Sequence, residues 1–386
     1  MHPTPAQTPP PGDASDPSVC SKRIASFTAM LHTTAAKSRF TLGACAVPWR
    51  SVRSNGINST APFHRTPVTH AEALCMPHSH ISATKDHEKF LLRILDRLWN
   101  KYRERVSYVQ TYEEIVKAKK ATFVNDHIAF RSIALQKPST GIPSVSRLFE
   151  ALGYRAAANY TFEDKHLSAT HFEHPRPIFP KLFISELKVW ELGAAAREAC
   201  QSAMGSHREH LPDSLLADLN SIYNGGSGGS EAALDAAANA LLRLPWEVPE
   251  EAAVRTLHAD SQYGAWVLLH GYNVNHFTAL VNSHGPQSGL DDIEATVAAL
   301  KHAGVPMKTQ IESDTEGKLR QTATEAVNVP VPIKKNGVVS EVEWPYAYFE
   351  LAQRDPFKDE KGELTRFEGF LSANATHLFD MTTPKA

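Results

Sequence analysis

Cysteine is scarce in this chain of 386 residues: Cys20, Cys45, Cys75 and Cys200 are all there is. Three of them lie in a stretch that reads as a removable leader. A single remaining thiol cannot close an internal disulfide, so the mature protein suits a reducing compartment. An excess of either charge is also missing: the formal net charge is −2. No basic field is present to attract nucleic acid or an anionic membrane. No run approaches the roughly 20 apolar residues needed to span a bilayer. The glycine-rich GGSGG at 225–229 lacks the Gly-Lys-Ser/Thr ending of a phosphate loop and follows no apolar strand, so it reads as a flexible linker. Asn58, Asn159 and Asn374 begin N-x-S/T sequons. With so few cysteines and such a leader they read as chance matches. What remains is ordinary soluble-globular composition, 42% apolar and 21% charged.

Acidic residues are depleted at the N-terminus. Residues 1–80 hold seven Lys or Arg (Lys22, Arg23, Lys37, Arg39, Arg50, Arg53, Arg65) against three acids (Asp13, Asp16, Glu72). They are rich in Ser, Thr, Ala and Pro and show no sustained apolar period. That composition marks an organelle transit peptide. Its length and hydroxyl content favour a plastid, with a mitochondrion as the alternative. Residues 1–84 are therefore expected to be leader and 85–382 a single catalytic domain. Within it, DHEKFLLRILDRLWNKY (86–102) places Phe90, Leu91, Ile94, Leu95, Leu98, Trp99 and Tyr102 at helical spacing. A second helix is expected near 111–121, so 85–121 forms an N-terminal helical pair.

The rest of the chain repeats itself. FVNDHIAFRSIAL (123–135) and NVNHFTALV (273–281) both read as strands that carry a histidine behind Asn or Asp. Each precedes a helix, SVSRLFEALGY (144–154) or DDIEATVAALKHAGV (291–305), that stops at a glycine, Gly153 or Gly304. Each copy then runs through polar strand-like segments to an apolar strand with one glutamate. These are KLFISELKV (181–189) with Glu186 and YAYFELAQR (346–354) with Glu350. The fold class is thus α+β, with two βαβββ modules, 122–190 and 263–382, forming a cupped mixed sheet. A helical insertion, 191–262, separates them.

Strand side chains alternate faces. His127, Ala129, Arg131 and Ile133 share one, His276 and Thr278 share one, and Tyr346, Tyr348 and Glu350 share one. If the modules cup towards each other, His127, His276 and Glu350 converge inside. Two imidazoles and a carboxylate suit non-haem Fe(II), with positions left for O2 and a chelating substrate; zinc accepts the same set. A lone histidine in a strand is more often a packed core residue. The matched place of these two in the repeat is what raises them above that. A carboxylate inside Tyr-Ala-Tyr-Phe-Glu-Leu needs a cation to offset its desolvation. Arg131 lies about 13 Å along the strand from His127. It is placed either to fork a substrate carboxylate or to pair with Glu186. In VLLHGYNVNHFTALV (267–281), His270 precedes a glycine bend and is expected to support the site without ligating. His166, His171 and His174 fall in a polar hairpin region, solvated or supporting.

DHIAFR (126–131), GYNVNHFT (271–278), LRQTATEA (319–326), YFELAQR (348–354) and GFLSANATHLF (369–379) together resemble the 2-oxoadipate dioxygenase/decarboxylase family, over about residues 88–382. The resemblance implies vicinal-oxygen-chelate architecture, with paired βαβββ modules around a metal. It implies Fe(2+) held by His127, His276 and Glu350, and a substrate site at those two histidines with Arg131, Ala373 and Asn374. Arg131 matches the clamp for the substrate carboxylate. The implied activity converts 2-oxoadipate and O2 to 2-hydroxyglutarate and CO2, a step of lysine catabolism. No nucleic-acid or membrane partner is implied. The chain departs from the family at Ala373-Asn374, where the bacterial pattern has Val-Ser, and is shorter than bacterial relatives between Glu350 and that segment. Two other readings keep much of the sequence evidence. One is a glyoxalase-like Zn or Ni isomerase or hydrolase on the same fold. The other is a non-catalytic plastid binding protein whose histidines serve packing.

Overall fold

The structure is a computed structural model and describes residues 76–227, 229–314, 316–371 and 382. Two helices come first, α1 (Asp86–Arg105) and α2 (Ser107–Ala118). All seven apolar α1 positions named above are buried. The second helix starts four residues before the expected 111. Packing also begins before Lys85: Ile81 is buried, and His78 lies 3.2 Å from Asp96 on α1.

The first module follows as β1 (Asn125–Ala134), α3 (Pro143–Glu150), β2 (Arg155–Phe162), β3 (Leu167–Glu173) and β4 (Lys181–Lys188). Five helices make up the insertion: α4 (Ala194–Met204), α5 (Asp213–Tyr223), α6 (Glu231–Leu242), α7 (Glu251–Asp260) and α8 (Gln262–His270). The second module contains β5 (Val274–Leu280), α9 (Ile293–His302), β6 (Glu312–Ser313), β7 (Leu319–Ala323) and β10 (Glu350–Arg354). A hairpin of β8 (Asn328–Lys335) and β9 (Val338–Pro345) is inserted before β10. Its turn is Asn336-Gly337, both at positive φ, the geometry a tight two-residue hairpin requires. A second small hairpin, β11 (Pro356–Lys358) and β12 (Leu364–Arg366), follows β10.

Among the described residues the main sheet has eight strands in the order β2-β3-β4-β1-β5-β10-β7-β6. The expected duplication is visible in that order. In each module the last strand lies parallel to the first, β4 on β1 and β10 on β5. The third strand pairs with the last and the second lies outermost. The modules join where β1 and β5 run antiparallel. One face of this centre packs on the helices: Phe277 meets Trp99 and Tyr102 of α1 at ring distances of 5.0 Å, and Phe130 meets Phe149 of α3. The other face holds the histidines. Both faces being covered, every residue of β1 is buried.

Two expectations about the repeat need correction. Residues 263–270, expected in the second module, belong to helix α8, which ends at Gly271 with φ +68°. GAWVLLH is apolar on every side, and periodicity does not separate a buried helix from a buried strand. Glu186 is not the counterpart of Glu350. Glu350 pairs with Thr278, two residues beyond His276. The residue pairing with Ala129, two beyond His127, is Phe183. Glu186 pairs with Ser132 and points to the opposite face, where its carboxylate accepts from the Ile142 amide at the start of α3.

Candidate metal centre

Strand register builds the site. Thr278 on β5 pairs with His127 on one side and Glu350 on the other, so all three project from one face in a row across three strands. His276 lies two residues along the same strand, opposite Ala129. One ligand atom from each of His127, His276 and Glu350 lies within 4.8 Å of the others. His127 Nε2 is 3.3 Å from Glu350 Oε1, and His276 Nε2 is 3.5 Å from Glu350 Oε2. All three side chains are buried.

The donor set fits a metal. Glu350 Oε2 is buried and has no hydrogen-bond partner among the described residues. A carboxylate oxygen in that position costs desolvation free energy that a cation would offset. Both imidazoles turn Nε2 towards the Glu350 carboxylate, with their Nδ1 atoms engaged elsewhere. His127 Nδ1 donates to Asp126 Oδ2 at 2.8 Å, and His276 Nδ1 donates to Asn275 Oδ1 at 3.2 Å. Such outer hydrogen bonds fix the tautomer and orientation of metal-binding histidines. Burial pushes His276 down to about 3, which leaves its ring neutral with a lone pair available. Burial acts the same way on His127, but the hydrogen bonds with Asp126 and Glu350 outweigh it and raise this group.

Sequence reading missed the support of these ligands. Burial alone would raise the Asp126 carboxyl. The Arg354 guanidinium and the His127 hydrogen bond outweigh it and hold Asp126 far below the carboxylate range. Arg354 forks Asp126 at 2.7 and 2.9 Å. The Thr278 hydroxyl lies 3.0 Å from His127 Nε2 and 3.4 Å from Glu350 Oε1. The available signal was local: Asp126 and Asn275 each immediately precede a histidine.

Arg131 is on the same wall. Its guanidinium stacks over Tyr263 and Trp266 of α8 at 4.9 and 5.1 Å, and Nη1 donates to Thr382 Oγ1 at 2.7 Å. The expected alternative partner, Glu186, is on the other face. One pocket is lined by His127, Arg131, His276, Glu350 and Tyr348, with Phe183, Ser185, Gln321, Phe370 and Leu371 also facing it. Five adjacent strands of a flat sheet would span about 19 Å. Residues of β4, β1, β5, β10 and β7 facing one pocket therefore mean a cupped sheet. Ala373 and Asn374 lie outside the described residues.

His270 takes the supporting place expected of it. It closes α8, donates to the Pro345 carbonyl at 3.0 Å and packs on Trp266, the ring behind Arg131. His166 sits in a turn 3.2 Å from Glu191. His171 meets Tyr160 and Phe370, whereas His174 is buried against Phe179 and Tyr154. Cys200 is buried in α4.

Paired βαβββ modules around an interior His-His-Glu cluster define a vicinal-oxygen-chelate type of protein with a candidate metal centre. A family model described as 2-oxoadipate dioxygenase/decarboxylase matches residues 94–378, and the chain belongs to that family. It is 25% identical over 355 residues to the chloroplastic/amyloplastic 2-oxoadipate dioxygenase/decarboxylase of Oryza sativa, covering 86% of this chain and 90% of that one. Among solved structures, a glyoxalase superfamily protein from Ralstonia eutropha superposes with TM-score 0.63 at 23% identity, over 74% of this chain and 87% of that one. The hydroxyglutarate synthase of Oryza sativa in complex with 2-oxoadipate also superposes with TM-score 0.63, at 21% identity over 84% and 98%.

Proposed function

We propose that the chain is a 2-oxoadipate dioxygenase/decarboxylase whose Fe(II) is held by His127, His276 and Glu350. The observation that carries this is the buried Glu350 oxygen, facing two oriented imidazoles on the same wall as Arg131. Together with O2, 2-oxoadipate gives 2-hydroxyglutarate and CO2: the six carbons divide five to one, CO2 leaves with the two oxygens of the C1 carboxylate, and both atoms of O2 end in 2-hydroxyglutarate, one in the new carboxylate and one in the hydroxyl. Bound Fe(II) supplies the reduction and activation of O2, which protein side chains cannot perform. The protein's part is placement. Arg131 forks the distal carboxylate and so fixes the carbon chain against the reacting centre. Tyr263 and Trp266 hold that guanidinium by stacking. Phe183 and Phe370 make the wall beside His127 apolar and keep water from it. Ala373 and Asn374 complete the substrate site in this proposal.

The substrate is a catabolite of lysine, and the expected compartment is the plastid. The acid-poor leader and the rice relative's chloroplastic/amyloplastic name support that placement. Residues 1–84 are the leader and 85–382 the catalytic domain in this proposal, with His78 and Ile81 already packed against the folded part. No described helix is long and apolar enough to cross a membrane.

The test is direct. Purified protein given Fe(II), ascorbate and 2-oxoadipate is expected to consume O2 and release CO2 in equal amounts. Isomerisation of a hemithioacetal with Zn(II) or Ni(II), with no O2 uptake, would instead support the glyoxalase-like reading that the Ralstonia neighbour's fold leaves available. Full function and metal content in His276→Ala would support the binding-protein reading.

A further inference from the structure

Arg354 makes more bonds than an ion pair needs. Its side chain is fully buried. Nε and Nη2 take both oxygens of Asp126, while Nη1 donates to the carbonyls of Phe367 and Gly369 at 2.8 and 2.9 Å. Those carbonyls belong to a strap, residues 367–371, that crosses the pocket after β12. The strap then returns to the metal centre. The Phe370 ring packs 4.8 Å from the His127 ring and 4.9 Å from Phe183, with the Arg354 guanidinium 5.5 Å above it. Glu368 adds a second tie through Lys181 on β4, at 2.8 Å.

These contacts form a closed loop: His127 to Asp126, Asp126 to Arg354, Arg354 to the strap, and the strap's Phe370 back onto His127. Lifting the strap would strip two acceptors from a buried guanidinium and one wall from a candidate ligand. Freeing His127 would loosen Asp126, the anchor of Arg354. A lysine cannot replace the fork, because one ammonium does not reach a carboxylate and two carbonyls in these directions.

We infer that Arg354 is a positioning residue that couples docking of the 367–371 strap to metal binding at His127, acting through Asp126. The inference rests on the metal centre proposed above. Coupling of this kind is reciprocal: if the docked strap favours the metal, the metal favours the docked strap by the same factor.

The experiment is amide hydrogen exchange of the full chain, read at residues 364–371 with and without Co(II), alongside a Co(II) titration. In the unmodified protein Co(II) is expected to slow exchange at 367–371 by roughly tenfold, within the usual 5–150-fold range of such couplings. In Arg354→Lys the strap should exchange fast in either condition, and Co(II) affinity should fall about 10–100-fold, as for other outer supports of metal ligands. Asp126→Asn keeps the shape of the buried group and should act in the same direction, which covers failure of the lysine variant to fold. Lys181→Gln cuts the second tie, along with the Lys181–Glu173 pair at 2.7 Å, and leaves Arg354 and Asp126 in place. It should speed strap exchange and weaken Co(II) slightly while leaving the protection by Co(II) in place. Tight Co(II) binding with unchanged strap exchange would overturn the coupling and leave the metal centre standing, as would undiminished affinity in Asp126→Asn. No Co(II) binding by the unmodified protein would remove both.

Discussion

In the first module β4 lies parallel to β1 and sets Phe183 beside Ala129; in the second β10 lies parallel to β5 and sets Glu350 beside Thr278. The two strand pairs are counterparts, and their first strands carry histidines at the same place. A symmetric pair of modules would therefore offer four side chains to the interior. This chain offers three donors and one phenyl ring. The neighbouring positions have diverged as well. Asp126 precedes one histidine and Asn275 the other, and four residues beyond each histidine stand Arg131 and Leu280. The second module thus supplies two of three candidate ligands, while the first supplies one together with the pocket-lining Arg131 and an apolar wall. A metal held by these three side chains would have part of its coordination sphere free for further ligands.

The comparison breaks most severely at the shared row. Glu350→Gln or His276→Ala should abolish stoichiometric metal binding and bring O2 consumption with 2-oxoadipate to the metal-free background. Metal analysis and an oxygen electrode check this, and His127→Ala should behave alike although it belongs to the other module. Phe183→Glu restores the missing symmetry. It should tighten Co(II) binding by competition with a chromophoric chelator, yet lower O2 uptake towards background because the added carboxylate fills an open position. Phe183→Leu should keep three ligands and most of the turnover.

A smaller effect is expected at Arg131. Arg131→Lys keeps the charge and loses the fork, at about 1.5–3 kcal/mol for charge-assisted hydrogen bonds. Steady-state kinetics should show KM for 2-oxoadipate raised roughly 10–100-fold, with kcat changed less. The smallest effect separates the two histidines in the metal-free protein. His276, held near 3, binds no proton in the native state between pH 3 and about 6.5, while the unfolded chain does. Stability therefore falls with acid in that window by about 1.4 kcal/mol per pH unit for this group. His276→Gln should flatten the pH dependence of the urea midpoint by that amount. His127 is raised, so its contribution is full below about pH 6.5 and lost as pH climbs through its native value. His127→Gln should remove stability mainly on the acid side.

Much of this was legible in the sequence, for reasons that also mark where legibility stopped. Strand–helix pairs with a histidine, a terminal glycine and an apolar strand recur, so the modules and the two histidines, His127 and His276, could be matched by position, while Glu350 stood out as a carboxylate in an apolar strand. Glu186 was mismatched by three residues because two glutamates in apolar strands look alike; only pairing register shows that Phe183 stands opposite Ala129. Helix α8 was unreadable because burial on all sides erases its period. The Asp126–Arg354 pair spans most of the chain, and nothing local in DHIAFR or YFELAQR indicates that its charged ends meet. The Asn336-Gly337 hairpin, inserted between β7 and β10, has no counterpart in the first module and was not anticipated from the repeat.

The central claim is that three protein side chains hold one metal and leave room for the substrate's 2-oxo acid end. The most direct measurement is an anaerobic Co(II) titration followed by visible absorption, before and after 2-oxoadipate. One Co(II) per chain is predicted, with bands that shift when 2-oxoadipate is added and do not form in Glu350→Gln. Absence of stoichiometric binding, or a spectrum indifferent to the 2-oxo acid, would contradict it.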